Sequence, residues 1–275
     1  MSPGNVALVD DADGVRLITF NRPDKLNAFD GELYRAVTDA LTEAATDPEI
    51  AVAVLTGAGR AFSAGQDLGE MARLSSPDER AASGAALTSE TASGHGFVGL
   101  LAAVTTFPKP LVAAVNGLGV GLGLTLLPHC DLVLIAADAR LRAPFVSLGV
   151  APEAAGSYTL PAAMGWQAAA YAFFTADWID APTAVATGLA LRTTPPGEVV
   201  AEALELARRI AAMPLVSLVE TKQLMLAAKL DQVRGARDRE DAVFARLTGA
   251  AANRDALERF LHGGEPARDT LRGTS

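Results

Sequence analysis

The chain is expected to be an α/β protein, a core of buried strands alternating with helices that gives way to a helical C-terminal region. Two observations predict this. Four short apolar runs bounded by turn residues are separated by helical patterns, as in a sheet with parallel pairing. Beyond about Trp166 the apolar spacing becomes three and four and stays so.

The elements follow in order. Val15-Arg16-Leu17-Ile18-Thr19-Phe20 alternates as a half-buried strand does, and Asn21 to Lys25 reads as a turn. Leu33, Ala36, Val37, Ala40, Leu41 and Ala44 repeat at helical spacing, with Asp30 as N-cap. Ile50 to Leu55 is a buried strand closed by Thr56-Gly57-Ala58-Gly59. A Ser/Gly-rich stretch then leads into a helical pattern through Leu100 and Leu101. Pro110 to Val115 is the third strand, Leu124 to Leu127 is helical, and Asp131 to Ile135 is the fourth strand. Helical spacing covers 181–188, 198–212, 216–228, 231–247 and 253–261. The core should end near 195–215; a division at 200 separates a core, 1–200, from a helical region, 201–275.

Half of the 275 residues are hydrophobic and 5% are aromatic, so small side chains dominate the interior. A net charge of -9 disfavours nucleic acid, whose phosphates demand clustered cations, but leaves room for a phosphorylated small molecule. The lone Cys130 excludes an internal disulfide and reads as a buried small hydrophobe. No signal peptide or membrane span is expected, which makes a cytoplasmic location the default. No carboxylate–histidine cluster has metal-ligand spacing, so neither a metal nor a separate cofactor is expected.

Two glycine-containing turns stand out. Gly117-Leu118-Gly119-Val120-Gly121-Leu122-Gly123 fails the dinucleotide pattern, because Leu122 and Leu124 stand where glycine is required, and it lacks a P-loop lysine. It remains a strand, a turn and a helix start whose bare N–H groups can hold an anion, or simply a place where helix and strand pack closely. Arg60 to Leu68 is a second turn after a strand. Ser63 lacks a nucleophile elbow, with only His95, His129 and His262 to serve as its base, so serine hydrolysis is a weak alternative.

In order and spacing these segments resemble the crotonase (enoyl-CoA hydratase/isomerase) superfamily. The resemblance runs through Asn21-Arg22-Pro23-Asp24-Lys25-Leu26-Asn27-Ala28, Ala61 to Leu68, Lys109-Pro110, Ala113 to Gly117, Cys130-Asp131-Leu132, Pro144-Phe145, Leu148-Gly149 and Pro152. It implies a spiral of β-β-α units, a helical C-terminal trimerisation region giving a homotrimer or a dimer of trimers, and an acyl-CoA thioester substrate. It also implies that the main-chain N–H groups of Gln66 and Leu122 polarise the thioester carbonyl. Ala64, Gly65, Gln66, Asp67 and Leu68 would line the CoA site. Lys25 would meet the CoA phosphates, or be a surface lysine with no such role.

The sequence departs from the hydratases of this family, whose two glutamates fall at Thr125 and Phe145 here. One carboxylate remains, Glu153, in a stretch that resembles peroxisomal-type Δ3,Δ2-enoyl-CoA isomerases. The resemblance makes Glu153 the single base of a 1,3-proton transfer. Its position after Pro152 also fits a helix-capping residue. A hydratase with atypical catalytic residues and a catalytically silent acyl-CoA-binding protein are the competing readings.

Overall fold

A computed structural model describes residues 5–67, 69 and 96–261. Among them a six-stranded sheet has the order β1-β2-β3-β5-β7-β10, and a four-stranded sheet has the order β4-β6-β8-β9, in which β9 is Ile179–Asp180. Strands β1 (Ala7–Ala12) and β2 (Val15–Phe20) form a hairpin, followed by helix α1 (Gly31–Thr46). Three successive strand pairs then repeat one device: β3 (Val52–Gly57) with β4 (Ala61–Ser63), β5 (Leu111–Val115) with β6 (Leu118–Val120), and β7 (Leu132–Ala136) with β8 (Arg140–Arg142). The first strand of each pair enters the large sheet and the second enters the small one. Helices α2 (Gly96–Thr105), α3 (Leu122–Thr125) and α4 (Gly156–Met164) follow these pairs, so the chain advances as a spiral of β-β-α units.

Sheet pairing is parallel from β2 through β3, β5 and β7 to β10 (Arg192–Thr194). Strands β3 and β5 are buried throughout, as strands covered on both faces are. Asp30 caps α1 as its sequence position predicts, accepting the Leu33 N–H at 2.9 Å. Phe20, Phe29 and Phe62 meet at centroid distances of 5.0 and 5.3 Å in the core. Apolar periodicity does not reveal β1, because only its Ala7 is buried. The signal for it is the turn pair Asp13-Gly14, both at positive φ (54° and 76°), as a tight hairpin requires. The strands of the small sheet have two or three residues, too short for any period to register.

After helices α5 (Trp166–Thr175) and α6 (Ala181–Ala186) come α7 (Val199–Ala211), α8 (Leu215–Ala227), α9 (Leu230–Leu247) and α10 (Ala251–Leu261). Helix α7 packs on β2, β3 and β5. Its Val199, Ala203 and Ala207 belong to the same hydrophobic cluster as the strands, so the core continues past the expected division at 200.

Several segments of the sequence signature prove to be latches. Lys109 Nζ donates to the Ala44 and Asp47 carbonyls at 2.6 Å each, at the C-terminal end of α1, where a cation is favoured. Asn27 donates to the Ala58 and Ala61 carbonyls and accepts the Arg22 N–H. Asp131 accepts the Leu111 N–H and the buried Lys222 ammonium, both at 2.7 Å, and so ties α8 to the third and fourth core strands. Removing one partner of such a pair strands the other in a dry site. Asp131→Ala should therefore lower unfolding free energy by roughly 3 kcal/mol, measured by urea denaturation; an unchanged midpoint would show the latch to be idle.

Candidate active site

The small sheet positions the site. Strands β4, β6 and β8 are parallel neighbours, so the segments after them, Ala64-Gly65-Gln66, Gly121-Leu122 and Ala143 to Phe145, emerge at one common end. A crevice at the carboxyl ends of parallel strands is where α/β folds bind ligands. Here it is a cavity of about 300 Å³ whose walls include Ala64, Gln66, Leu122, Phe145, Leu148 and Glu153. Trp178 and Phe244 complete it from distant parts of the chain.

The first two turns touch. Gly65 lies at φ +86°, and a Cβ there would stand 2.6 Å from the Val120 carbonyl oxygen and 3.2 Å from the Leu122 nitrogen. Only glycine permits that approach. On its other side the Gly65 to Asp67 segment pairs with Phe29: the Phe29 N–H donates to the Gly65 carbonyl and the Asp67 N–H donates to the Phe29 carbonyl. Strand alternation then turns the Gln66 N–H away from Phe29. Leu122 is the first residue of α3, so its N–H has no intrahelical acceptor. Among the described residues neither the Gln66 nor the Leu122 N–H donates to a protein acceptor. Two main-chain donors are thus free beside one cavity, able to hold a developing oxyanion.

Glu153 lines the same cavity and is half-buried. No hydrogen bond or ion pair to its carboxyl is present among the described residues. Burial, reinforced by the nearby charges of Glu240 and Asp241, pushes its pKa up to about 8. It does not cap α4. That helix begins with Ala155 as N-cap, and the Ala155 and Ser157 N–H groups donate instead to the Glu240 carboxylate of α9, both at 2.7 Å. The capping alternative for Glu153 is thereby corrected: a carboxylate from another helix occupies that role. Thr125 is buried and donates to the Gly121 carbonyl, and Phe145 is a wall of the cavity.

The other residues singled out in the sequence fall in different places. Ala64 and Gln66 reach the cavity and Gly65 forms the seam behind it. Asp67 does not line the cavity; its carboxylate faces Arg22 at 3.4 Å and accepts the Gly69 N–H, which is a structural task. Lys25 is exposed at the end of a single 3-10 turn, next to Leu26, which does line the cavity. Leu68, His95 and His262 lie outside the described residues. Ser63 is fully buried and donates to the Asn27 carbonyl, so it is not a nucleophile. Cys130 is buried, its thiol pushed up to about 12 by desolvation. Among the described residues no group of three or more His, Cys, Asp or Glu side chains could hold a metal ion, and no single helix is long and apolar enough to cross a membrane. Periodicity could not find Trp178, Phe244 or Glu240, because each reaches the site from a segment remote in sequence.

The two-sheet spiral with paired glycine turns at its strand ends is a crotonase-like architecture. The sequence profile described as "Enoyl-CoA hydratase/isomerase" matches residues 10–268, and the chain belongs to that family. It is 34% identical over 233 residues to enoyl-CoA delta isomerase 2 of Rattus norvegicus, covering 85% of this chain and 57% of that protein. The chain therefore spans little more than half the length of the rat relative. It is 32% identical to the 2,3-dehydroadipyl-CoA hydratase of Escherichia coli, over 90% of this chain and 92% of that one. The crystal structure of an enoyl-CoA hydratase/isomerase from Pseudoalteromonas atlantica superposes with a TM-score of 0.85 at 31% identity, over 95% and 99% of the two chains.

A carboxyl raised from 4.5 to about 8 binds its proton more tightly in the folded state than in the unfolded one. Its contribution to stability is complete below pH 4.5 and is lost as the pH rises through 8. Glu153→Gln cannot ionise, so it should be more stable than the parent at pH 9 by at least about 1 kcal/mol, measured by denaturant titration at pH 5 and pH 9. An equal difference between the two proteins at both pH values would contradict the raised pKa.

Proposed function

We propose that the protein is a Δ3,Δ2-enoyl-CoA isomerase in which Glu153 moves one proton between two carbons of an acyl-CoA. The observation that carries this reading is the lone carboxyl, unpaired among the described residues, in an apolar cavity beside two unused main-chain N–H groups. The thioester oxygen of a 3-enoyl-CoA would accept from the Gln66 and Leu122 N–H groups. The Glu153 carboxylate would take a proton from C2, whose bonding electrons move toward the carbonyl and leave a dienolate on the thioester oxygen. The protonated Glu153 would return that proton to C4 as the double bond shifts from C3–C4 to C2–C3. Preorganised donors are worth most against a charge that develops in a dry site, and one such donor contributes about 3–4 kcal/mol. A carboxylate with a raised pKa is a stronger base, at the cost of a smaller ionised fraction at neutral pH.

Hydration calls for a second group to hold and activate water. The family resemblance puts Thr125 and Phe145 where its hydratases carry two glutamates, and Glu153 is the only carboxylate among the described residues lining the cavity. Hydration through atypical residues is the second reading, favoured by relatives named as hydratases, the Escherichia coli protein among them. Neither reading requires a cofactor beyond the CoA carried by the substrate; contact of the exposed Lys25, next to cavity-lining Leu26, with the CoA phosphates is part of the proposal. A cytoplasmic homotrimer, or a dimer of trimers, belongs to the same proposal; exposed Trp166, Phe174, Val216, Leu224 and Met225 offer apolar surface for subunit contact.

Three measurements test it. Purified protein should convert 3-enoyl-CoA to the conjugated 2-enoyl-CoA, and Glu153→Gln should slow this by at least about 10³-fold; water addition to 2-enoyl-CoA without isomerisation would refute it. The kcat/KM of isomerisation should rise with pH through a midpoint near 8, as Glu153 ionises. Gly65→Ala, which forces a Cβ against the Val120 carbonyl, should lower kcat by about 10²-fold or more through displacement of the Gln66 and Leu122 donors.

A further inference from the structure

The turn that carries Glu153 is improbable on its own. Ala154 and Ala155, which follow it, both adopt the left-handed region (φ 60° and 57°) without being glycine. The single peptide between them is held at both ends. Its carbonyl, that of Ala154, accepts from His129 Nε2 at 2.7 Å, and its N–H, that of Ala155, donates to Glu240 Oε2 at 2.7 Å. The other Glu240 oxygen accepts the Ser157 N–H, also at 2.7 Å. His129 and Glu240 are both buried. Burial pushes the His129 pKa down to about 4, so its ring is neutral, with Nε2 protonated toward Ala154 and Nδ1 accepting from the Thr105 hydroxyl.

We propose that Glu240 is a positioning residue for Glu153. From α9 it clamps the left-handed Ala154-Ala155 turn through two main-chain N–H groups, and so aims the Glu153 carboxyl into the cavity. This rests on the reading of Glu153 as the base. Glu240 touches no substrate atom in that reading; it acts through the backbone of the turn and through its charge.

Its second effect is electrostatic. Among the described residues the charged groups near this turn are Glu153 itself, Glu240, Asp241 and Arg237 on α9, and Lys229 just before it, with His129 neutral opposite. The Glu240 carboxylate disfavours ionisation of Glu153, so replacing it with a neutral group lowers the Glu153 pKa. The Asp241 charge acts on Glu153 in the same way, so the midpoint reports the nearness of a charge, and positioning is read from kcat and from amide exchange in the turn.

The test compares Glu240→Gln, Glu240→Ala, Asp241→Asn and Glu153→Gln, with 3-enoyl-CoA as substrate and thermal melting as the check on folding. Glu240→Ala should lower kcat by about 10–100-fold with KM changed less than about threefold, since the oxyanion turns are untouched. Its Ala155 and Ser157 amides should also exchange hydrogen faster. Glu240→Gln keeps the shape and one acceptor; it should retain more of the kcat and move the acid limb of kcat/KM to lower pH by about half a unit to one unit. Asp241→Asn should move that limb in the same direction without changing exchange at Ala155 and Ser157. If Glu153→Gln is inactive while both Glu240 variants keep the parent kcat and pH midpoint, the positioning role is overturned and the function stands. If Glu153→Gln stays active, the functional reading fails and the positioning role with it. Should Glu240→Ala fail to fold, Glu240→Gln decides by its kcat and by hydrogen exchange at Ala155 and Ser157, and parent values of both count against the proposal.

Discussion

The site depends on one close approach: the backbone of Gly65 lies against the backbone of Val120 and Leu122 with no space for a β-carbon. Everything that makes the cavity chemically interesting follows from it. The approach sets the N–H groups of Gln66 and Leu122 beside one space, where neither has a protein acceptor among the described residues. A fold normally satisfies such donors. Two such donors open at one place, among the described residues, are available to an acceptor from outside the chain.

Much of the fold exists to hold that seam. Strands β4 and β6 run side by side for only three residues each, too few to be rigid alone. Their surroundings fix them. Asn27 grips the turn before β4, Phe29 pairs with Gln66, and Asn116 accepts the Gly57 N–H while donating to the Gly59 carbonyl. Gly117 brings another backbone crossing close, since a Cβ there would stand 2.1 Å from the Arg60 carbonyl oxygen. The signature residues are therefore chiefly structural, and their chemistry is expressed through main-chain geometry. Groups that act through the main chain place no demand on the side chains of Gln66 and Leu122.

The C-terminal helices do more than offer surface. Helix α9 roofs the cavity with Phe244 and delivers Glu240 to the Glu153 turn. Helix α10 sits against the segment before that turn, where Asn253 donates to the Leu148 carbonyl and Gly149, at φ +69°, admits the helix backbone. The chain thus closes its own site with a region that looks from its composition like a simple bundle. Two consequences are linked. Burial raises the Glu153 pKa, and α9 raises it further through the acids Glu240 and Asp241.

The family resemblance singled out Glu153, and sequence alone determined the core strands, helix α1 with its Asp30 cap, the helical C-terminal region and the two glycine turns. These are local signals: apolar period, capping side chains, and glycine where a bulkier residue would block the chain. Strand β1 escaped because its exposed residues carry no period, and the small sheet escaped because strands of two or three residues do not repeat one. Tertiary structure decided what depends on groups distant in the chain. It assigned the α4 cap to Glu240 instead of Glu153, gave Asp67 to Arg22, kept Lys25 outside the cavity and brought Trp178 and Phe244 into its wall. The physical reason is common to all four: hydrogen bonding, desolvation and the field at a carboxyl are set by neighbours in space, and no pattern within a single segment records them.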